Sequence, residues 1–259
     1  MLTSKVLKVR CFAKSRSRIL HPSINNHFLT YPTLAPFNSN AGPGVLPFFD
    51  GCGPFATWLP RSQDLTPEDI EAVRLGTLTP THTLPTEVEG LIDSTIQKIH
   101  SAGGRVVGLI GFSQGARVVA GVLRGLELRQ ALGSKAGEQG AWVDSMQFGV
   151  TVCGSWPPPL VPASILRALD ESGIPDEEKE MLLGRKIAVP AFHAVGKQDE
   201  KGRWTSKALI EGHFEVETGK SCVEECEMGH QYPVAREETE KIRNWIVGVL
   251  SKTESEDKM

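Results

Sequence analysis

Residues 109–121 read LIGFSQGARVVAG, an apolar run that ends in glycine, then a serine between two glycines, then an amphipathic segment. Residues 111–115 match the pattern G-x-S-x-G, which also occurs by chance in glycine-rich chains. The segments before and after the pattern therefore decide whether it marks a nucleophile. RVVGLIGF, at 105–112, has the length and continuous hydrophobicity of a strand buried on both faces, and a helical pattern follows at 116–130. A strand, a turn at Ser113 and a helix are the context of a nucleophile elbow.

Further strand and helix patterns indicate that this turn belongs to one α/β domain, for which 259 residues are sufficient. The predicted elements are strands at 148–154, 187–196 and 213–218 and helices at 86–100, 204–212 and 234–250. The spacing of Thr86 and Glu89 predicts a capping box. Strands that alternate with helices predict a mostly parallel sheet with helices on both faces and with ligand sites at the carboxyl ends of the strands.

Composition excludes several classes of function. The chain has 28 Lys and Arg against 31 Asp and Glu, a net charge of −3, so nothing predicts a nucleic-acid partner. No apolar run reaches the length of a membrane span. The five cysteines are scattered and complete no zinc pattern, which favours reduced thiols and no metal. No dinucleotide or phosphate-binding loop is present, so we expect no cofactor.

The amino terminus has an unusual charge distribution. Residues 1–49 contain no Asp or Glu, and six basic residues lie between positions 5 and 18. This composition favours either a mitochondrial presequence, a disordered basic tail or a segment outside the fold, and KVLKVRCF at 5–12 predicts at most a degenerate first strand. We therefore expect an atypical or disordered segment at 1–27, an α/β domain at 28–250 and a disordered tail at 251–259. The expected compartment is the cytoplasm, with the mitochondrion as the alternative.

A stretch rich in proline and glycine, at 32–60, predicts a long loop. It carries aromatic side chains that a linker does not need, among them Phe48, Phe49, Phe55 and Trp58. Long aromatic loops in compact domains commonly bind substrate, and we expect these four residues to do so. The alternative is that the aromatic rings pin the loop to the core.

A serine nucleophile needs a base and an acid that orients it, in the chain order Ser, acid, His of this fold. His230 lies in a Gly-His turn before the last helix and is the predicted base, whereas His193 lies inside an apolar strand and His213 at a helix end. Asp199 follows the strand that ends at Gly196 and is the predicted acid, its alternative being a solvated loop residue. The N–H group of Gln114, directly after the serine, is the predicted oxyanion donor.

The segments GFSQGA, HAVGKQD and GHQYPV resemble the fungal serine hydrolase family, and the aromatic loop resembles its polyketide-cluster thioesterase and esterase branch. The resemblance covers about 28–250. It implies an α/β-hydrolase fold, a Ser113, Asp199 and His230 triad, and an acyl groove lined by 36–60 and 155–186. It also implies hydrolysis of an acyl thioester or ester, with a polyketide synthase carrier domain as the partner that presents the acyl chain.

The chain departs from the family pattern near its start. Family members open with an apolar strand and a His-Gly loop that donates the second oxyanion N–H. Here ILHPS, at 19–23, is the nearest segment, and Pro22 has no N–H to donate. Leu34 stands where the family has Asp. This departure supports one alternative, an acyl-binding protein without a complete oxyanion hole. A separate alternative is a carboxylesterase that acts on a small free ester, with the same chemistry on a different substrate.

Overall fold

A computed structural model describes residues 3–10, 28–40, 53, 55–60, 63, 66–75, 77–78, 82–155, 158–200 and 202–256. The strands are β1 Thr3–Arg10, β2 Leu29–Leu34, β3 Phe37–Ser39, β4 Phe55–Thr57, β5 Thr83–Leu84, β6 Gly104–Phe112, β7 Phe148–Val152, β8 Val161–Pro162, β9 Ala191–Gly196 and β10 Ser221–Cys226. The helices are α1 Pro67–Arg74, α2 Thr86–Ser101, α3 Gln114–Leu132, α4 Ala163–Glu171, α5 Asp176–Gly184, α6 Gly202–His213 and α7 Arg236–Glu256.

The main sheet has the strand order β10-β9-β7-β6-β1-β2, and every neighbouring pair in it is parallel. Helices cover both of its faces. Along β7, Phe148 packs in one apolar cluster with Ile242 and Ile246 of α7. A Cβ atom added at the next residue, Gly149, would meet Val119 of α3, because successive residues of a strand face opposite ways. The predicted parallel α/β architecture is confirmed, and β6 lies near the middle of its sheet.

The amino-terminal strand corrects the predicted domain boundary at residue 28. β1 pairs in parallel with β2 on one side and with β6 on the other, so Thr3–Arg10 lies within the sheet. A ladder joins backbone N–H and C=O groups, and a basic strand offers these as an apolar one does. The rest of the predicted 1–27 segment, residues 1–2 and 11–27, lies outside the described residues.

Three local predictions were wrong. HFEVET forms no strand, since Phe214 makes only an isolated bridge with Ile187, and the strand in this region is β10. The predicted disordered tail continues α7 as far as Glu256. The capping box is not formed because Pro85 is the N-cap and Thr86 is already the first residue of the helix. The Glu89 carboxylate instead accepts hydrogen bonds from Ser164 N at 3.1 Å and from Trp142 Nε1 at 3.3 Å.

Within the described residues, the helices are all too short or too polar to cross a bilayer.

The chain after β7 passes very close to α3, and this contact depends on a glycine. A Cβ atom added at Gly121 would lie 1.7 Å from the carbonyl oxygen of Leu160. Backbone atoms of a neighbouring segment cannot rotate away as a side chain can. The close approach therefore positions the whole segment that leads into β8 and α4.

We expect Gly121→Ala to lower the free energy of unfolding by about 3 kcal/mol or more, because the new methyl group would overlap this backbone. The matched control is Gly90→Ala at an exposed position of α2, where nothing lies within 4 Å of the added atom. The control should stabilise the protein by about 0.5–1 kcal/mol through its helix propensity. Urea denaturation measures both values, and equal effects of the two substitutions would contradict the packing argument.

Candidate active site

Ser113 occupies a strained turn between β6 and α3, with φ of 52° and ψ of −120°. Small neighbours make the turn sterically accessible, because a Cβ atom at Gly111 would lie 2.1 Å from the carbonyl oxygen of Gly115. The end of β7 supports the turn from both sides. Ser113 N donates to Val152 O at 2.9 Å, and Ser155 N donates to Ser113 O at 3.1 Å. The serine side chain is half-exposed at the carboxyl end of the sheet.

The structure brings Ser113, His230 and Asp199 together in one hydrogen-bonded row. His230 Nε2 lies 3.0 Å from Ser113 Oγ, and His230 Nδ1 lies 2.6 Å from Asp199 Oδ2. Asp199 follows β9 and His230 follows β10, and carboxyl ends of parallel strands share one edge of the sheet. The row has the order of partners expected of a nucleophile, its base and the acid that orients the base.

The second oxygen of the carboxylate is held by the start of α6. Asp199 is 7% exposed, and its Oδ1 atom accepts a hydrogen bond from Gly202 N at 2.8 Å. A Cβ atom at Gly202 would lie 2.0 Å from Asp199 Oδ2, so only glycine leaves room for the carboxylate there. Buried carboxylates require such donors.

The histidine ring packs against an aromatic side chain. The ring centroid of Phe112 lies 4.9 Å from that of His230, and this contact limits the movement of the imidazole.

Cys153 lies beneath the histidine turn and was not identified from the sequence. Its φ is 44°, and its Sγ atom lies 3.6 Å from the carbonyl oxygens of both Gly229 and Gln231, which flank His230. Burial, and next the charge of Asp199, raise the pKa of this thiol to about 12. Its position directly after a buried strand, at the same edge as Ser113, is the one sequence signal that could have found it.

Among the described residues, the potential metal ligands that cluster are Cys153, Asp199 and His230, whose ligand atoms lie within 4.8 Å of one another. Each of these three side chains has a partner within the protein. The Cys153 thiol, whose pKa is raised by burial, contacts the carbonyl oxygens of Gly229 and Gln231. The aspartate and the histidine are already paired with each other.

The predicted oxyanion donor, Gln114, is the first residue of α3. Its side chain has a second role that the sequence did not indicate: Oε1 accepts hydrogen bonds from Thr57 Oγ1 at 2.9 Å and from Trp58 N at 2.8 Å. The segment 19–23, considered for the second donor, lies outside the described residues. In the sheet, Val9 near the end of β1 is paired with Gly111, so the chain leaves β1 beside the elbow.

The four aromatic residues predicted to bind substrate have different positions. Phe55 is half-buried in β4, which pairs with β3 as an antiparallel hairpin. Trp58 is 0% exposed and belongs to the apolar core, as expected of a ring that pins the loop. Phe48 and Phe49 lie outside the described residues, so their role stays a prediction.

The other two histidines after Ser113 do not contact it. His193 is wholly buried, and its Nδ1 atom lies 2.7 Å from Thr151 Oγ1, which confirms the prediction of a core residue. Burial lowers the pKa of His193 to about 3. His213 ends α6, and burial, followed by the charges of Arg124 and Arg117, lowers its pKa to about 4.

Comparison with known proteins gives the site a family context. The family model described as serine hydrolase (FSH1) matches residues 54–242, nearly three quarters of the chain. The probable esterase TOX9 of Cochliobolus heterostrophus is 29% identical over 251 residues, which cover 85% of this chain and 81% of that protein. An esterase of Didymella fabae is also 29% identical over 251 residues, with 90% and 83% covered. The esterase mlcF of Penicillium citrinum is 28% identical over 198 residues, with 75% and 68% covered.

We expect acid to destabilise the protein partly through His193. Its pKa is about 3 in the fold and 6.5 ordinarily, so below pH 6.5 the unfolded chain binds a proton that the folded chain does not. The stability due to the neutral imidazole is complete above pH 6.5 and is lost as the pH falls, by up to about 1.4 kcal/mol per pH unit. His193→Gln, which keeps a partner for Thr151, should have a shallower dependence between pH 6.5 and 4. In urea denaturation at several pH values, His100→Gln, at an exposed helix position, should keep the wild-type slope.

A second prediction concerns the strained turn. Ser113→Gly should be more stable than Ser113→Ala by about 1–2 kcal/mol, although glycine is ordinarily the less stable of the two, because only glycine adopts a positive φ without strain. Both variants should lose hydrolytic activity. Thermal unfolding of the pair measures the difference, and a more stable alanine variant would show that the turn is not strained.

Proposed function

We propose, from the premise that this chain belongs to the serine hydrolase (FSH1) family, that its Ser113, His230 and Asp199 side chains hydrolyse an acyl thioester or ester. The observation that carries the proposal is the continuous row of contacts from Ser113 Oγ to His230 at 3.0 Å and from His230 to Asp199 at 2.6 Å. A free serine hydroxyl is a weak nucleophile, and this geometry supplies both the base and its orienting acid.

In the first half of the reaction, Ser113 Oγ attacks the acyl carbonyl carbon while its proton passes to His230 Nε2. The carboxylate of Asp199, paired with Nδ1, stabilises the resulting imidazolium. Negative charge develops on the carbonyl oxygen, toward which the Gln114 N–H donates at the positive end of α3. Collapse of the tetrahedral intermediate breaks the bond to the thiol or alcohol, which leaves with the proton from His230, and an acyl-Ser113 ester remains.

In the second half, water attacks the acyl-enzyme. His230 takes a proton from the water, and the new bond forms at the same carbonyl carbon with the same oxyanion donor. The acid is released as Ser113 Oγ regains its proton from His230. The proposed steps balance with the atoms of the chain, the substrate and water, and they use no cofactor.

The proposal also specifies the class of acyl compound that is hydrolysed. Sequence resemblance to the polyketide-cluster branch supports an acyl chain delivered by a synthase carrier domain, and the hairpin formed by β3 and β4 supports an acyl group that reaches beyond the scissile bond. The relatives described as esterases support oxygen esters. The second candidate is therefore a carboxylesterase acting on a small free ester. We place the reaction in the cytoplasm, with the acid-free amino terminus favouring the mitochondrion as the alternative.

A fluorophosphonate probe should label the purified protein at Ser113, because an activated serine hydroxyl attacks the phosphorus atom and displaces fluoride. Ser113→Ala should abolish labelling. Asp199→Asn should lower kcat by about 10⁴-fold, since it removes the charge that stabilises the imidazolium. Intact-protein mass spectrometry and p-nitrophenyl ester hydrolysis measure these effects. Well-folded protein that neither labels nor hydrolyses any ester would instead favour the acyl-binding alternative without a complete oxyanion hole.

The thioester preference is tested separately, by comparing kcat/KM for an octanoyl thioester of N-acetylcysteamine with kcat/KM for its oxygen ester. A higher value for the thioester supports the carrier-bound substrate. A higher value for the oxygen ester, especially for the acetyl homologue, would establish the small-ester candidate in its place.

A further inference from the structure

The β3–β4 hairpin is connected to the nucleophile elbow through one side chain. Its two strands pair Phe37 with Thr57 and Ser39 with Phe55. Thr57 ends the second strand, and the next residue, Trp58, enters the core. Both donate to Gln114, whose own N–H is the proposed oxyanion donor. Gln114 therefore connects the hairpin to the elbow, next to the proposed nucleophile.

The two hydrogen bonds are well defined by burial and by chemistry. Thr57 is 6% exposed and Trp58 is 0% exposed, so few water molecules compete for these donors. A backbone N–H can only donate, so the Gln114 side-chain atom 2.8 Å from Trp58 N must be the amide oxygen. The Thr57 hydroxyl also accepts a hydrogen bond from Leu59 N at 3.3 Å, which continues the connection into the core.

We infer that Gln114 is a positioning residue that holds the β3–β4 hairpin against the elbow, and that this connection gives the enzyme its preference for extended apolar acyl groups. The inference rests on the proposed function and deepens it. An extended acyl chain contacts the hairpin, the hairpin holds the Gln114 side chain, and the backbone of the same residue presents the oxyanion donor. An acetyl group is too short to use this connection.

The inference predicts whether the binding energy of the acyl chain raises kcat or lowers KM. Contacts remote from the reacting atoms raise kcat when they are coupled to the geometry at the reacting centre. Loss of the connection should thus lower kcat for long acyl groups more than it raises their KM. A hairpin that acted only as a wall of the pocket would change KM alone.

The decisive variants are Thr57→Val and Gln114→Met, which keep side-chain volume and remove a donor and the acceptor respectively. We expect Thr57→Val, which removes the hydroxyl bonded to Gln114 and to Leu59 N, to lower kcat for p-nitrophenyl octanoate about 3- to 10-fold and to change its KM less than about 2-fold. Both constants for p-nitrophenyl acetate should change less than about 2-fold. Thr57→Ser keeps the hydroxyl and should restore the octanoate rate. The matched control is Thr95→Val in α2, which removes a hydroxyl bonded to Leu91 O at 2.7 Å far from the elbow and should change neither substrate.

The double variant and a measurement without substrate complete the test. Thr57→Val should have a smaller effect in the Gln114→Met background than alone, because the hydroxyl has already lost Gln114 as its acceptor and keeps only the hydrogen bond from Leu59 N. Hydrogen exchange at the Trp58 amide should accelerate at least about 3-fold in Gln114→Met, and circular dichroism should confirm that each variant is folded. Equal losses on octanoate and acetate, additive effects or unchanged Trp58 exchange would each overturn the inference. Wild-type protein without esterase activity would instead refute the proposed function, while the exchange measurement would still report on the connection.

Discussion

The positive φ of Ser113 is the constraint on which the site depends. A residue with a side chain avoids this conformation, so surrounding contacts must maintain it. Glycines at 111 and 115 remove the steric obstacle, and hydrogen bonds from both directions at the end of β7 hold the serine backbone in place. The turn aims Oγ away from the sheet and begins α3 at the next residue, so one local distortion presents both the nucleophile and the proposed oxyanion donor.

The parallel pairing of the strands brings the acid and the base to the serine, which the turn alone does not do. β6, β7, β9 and β10 all end at the same edge, and the segments that follow them carry Ser113, Cys153, Asp199 and His230. Further contacts hold the acid and the turn that carries the base: Gly202 N donates to the Asp199 carboxylate, and the carbonyl oxygens on either side of His230 contact the Cys153 thiol. The acid and the base are therefore oriented before substrate arrives, which is what electrostatic catalysis requires.

The β3–β4 hairpin is a further element that contacts the elbow. It is not part of the main sheet, yet its last residues are buried and bonded to Gln114. A side chain adjacent to the nucleophile thereby links the hairpin to the strained backbone of the elbow. This link explains how residues 55–58, at the end of a sequence rich in proline and glycine, are held near the site.

The sequence by itself determined the elements whose signals are local: the buried strand before Ser113, the small residues around it, the helix after it, and the order of nucleophile, acid and base. Predictions from the sequence failed where contacts with residues distant in the chain decide the local structure. Glu89 looked like a capping residue but bonds Ser164 and Trp142, and the basic β1 gains its place from ladders with β2 and β6. The sequence also predicted His230 rather than His193 or His213 as the base. Only the tertiary structure brings its ring within 3.0 Å of Ser113 Oγ, because the pairing order of parallel strands sets which chain ends meet.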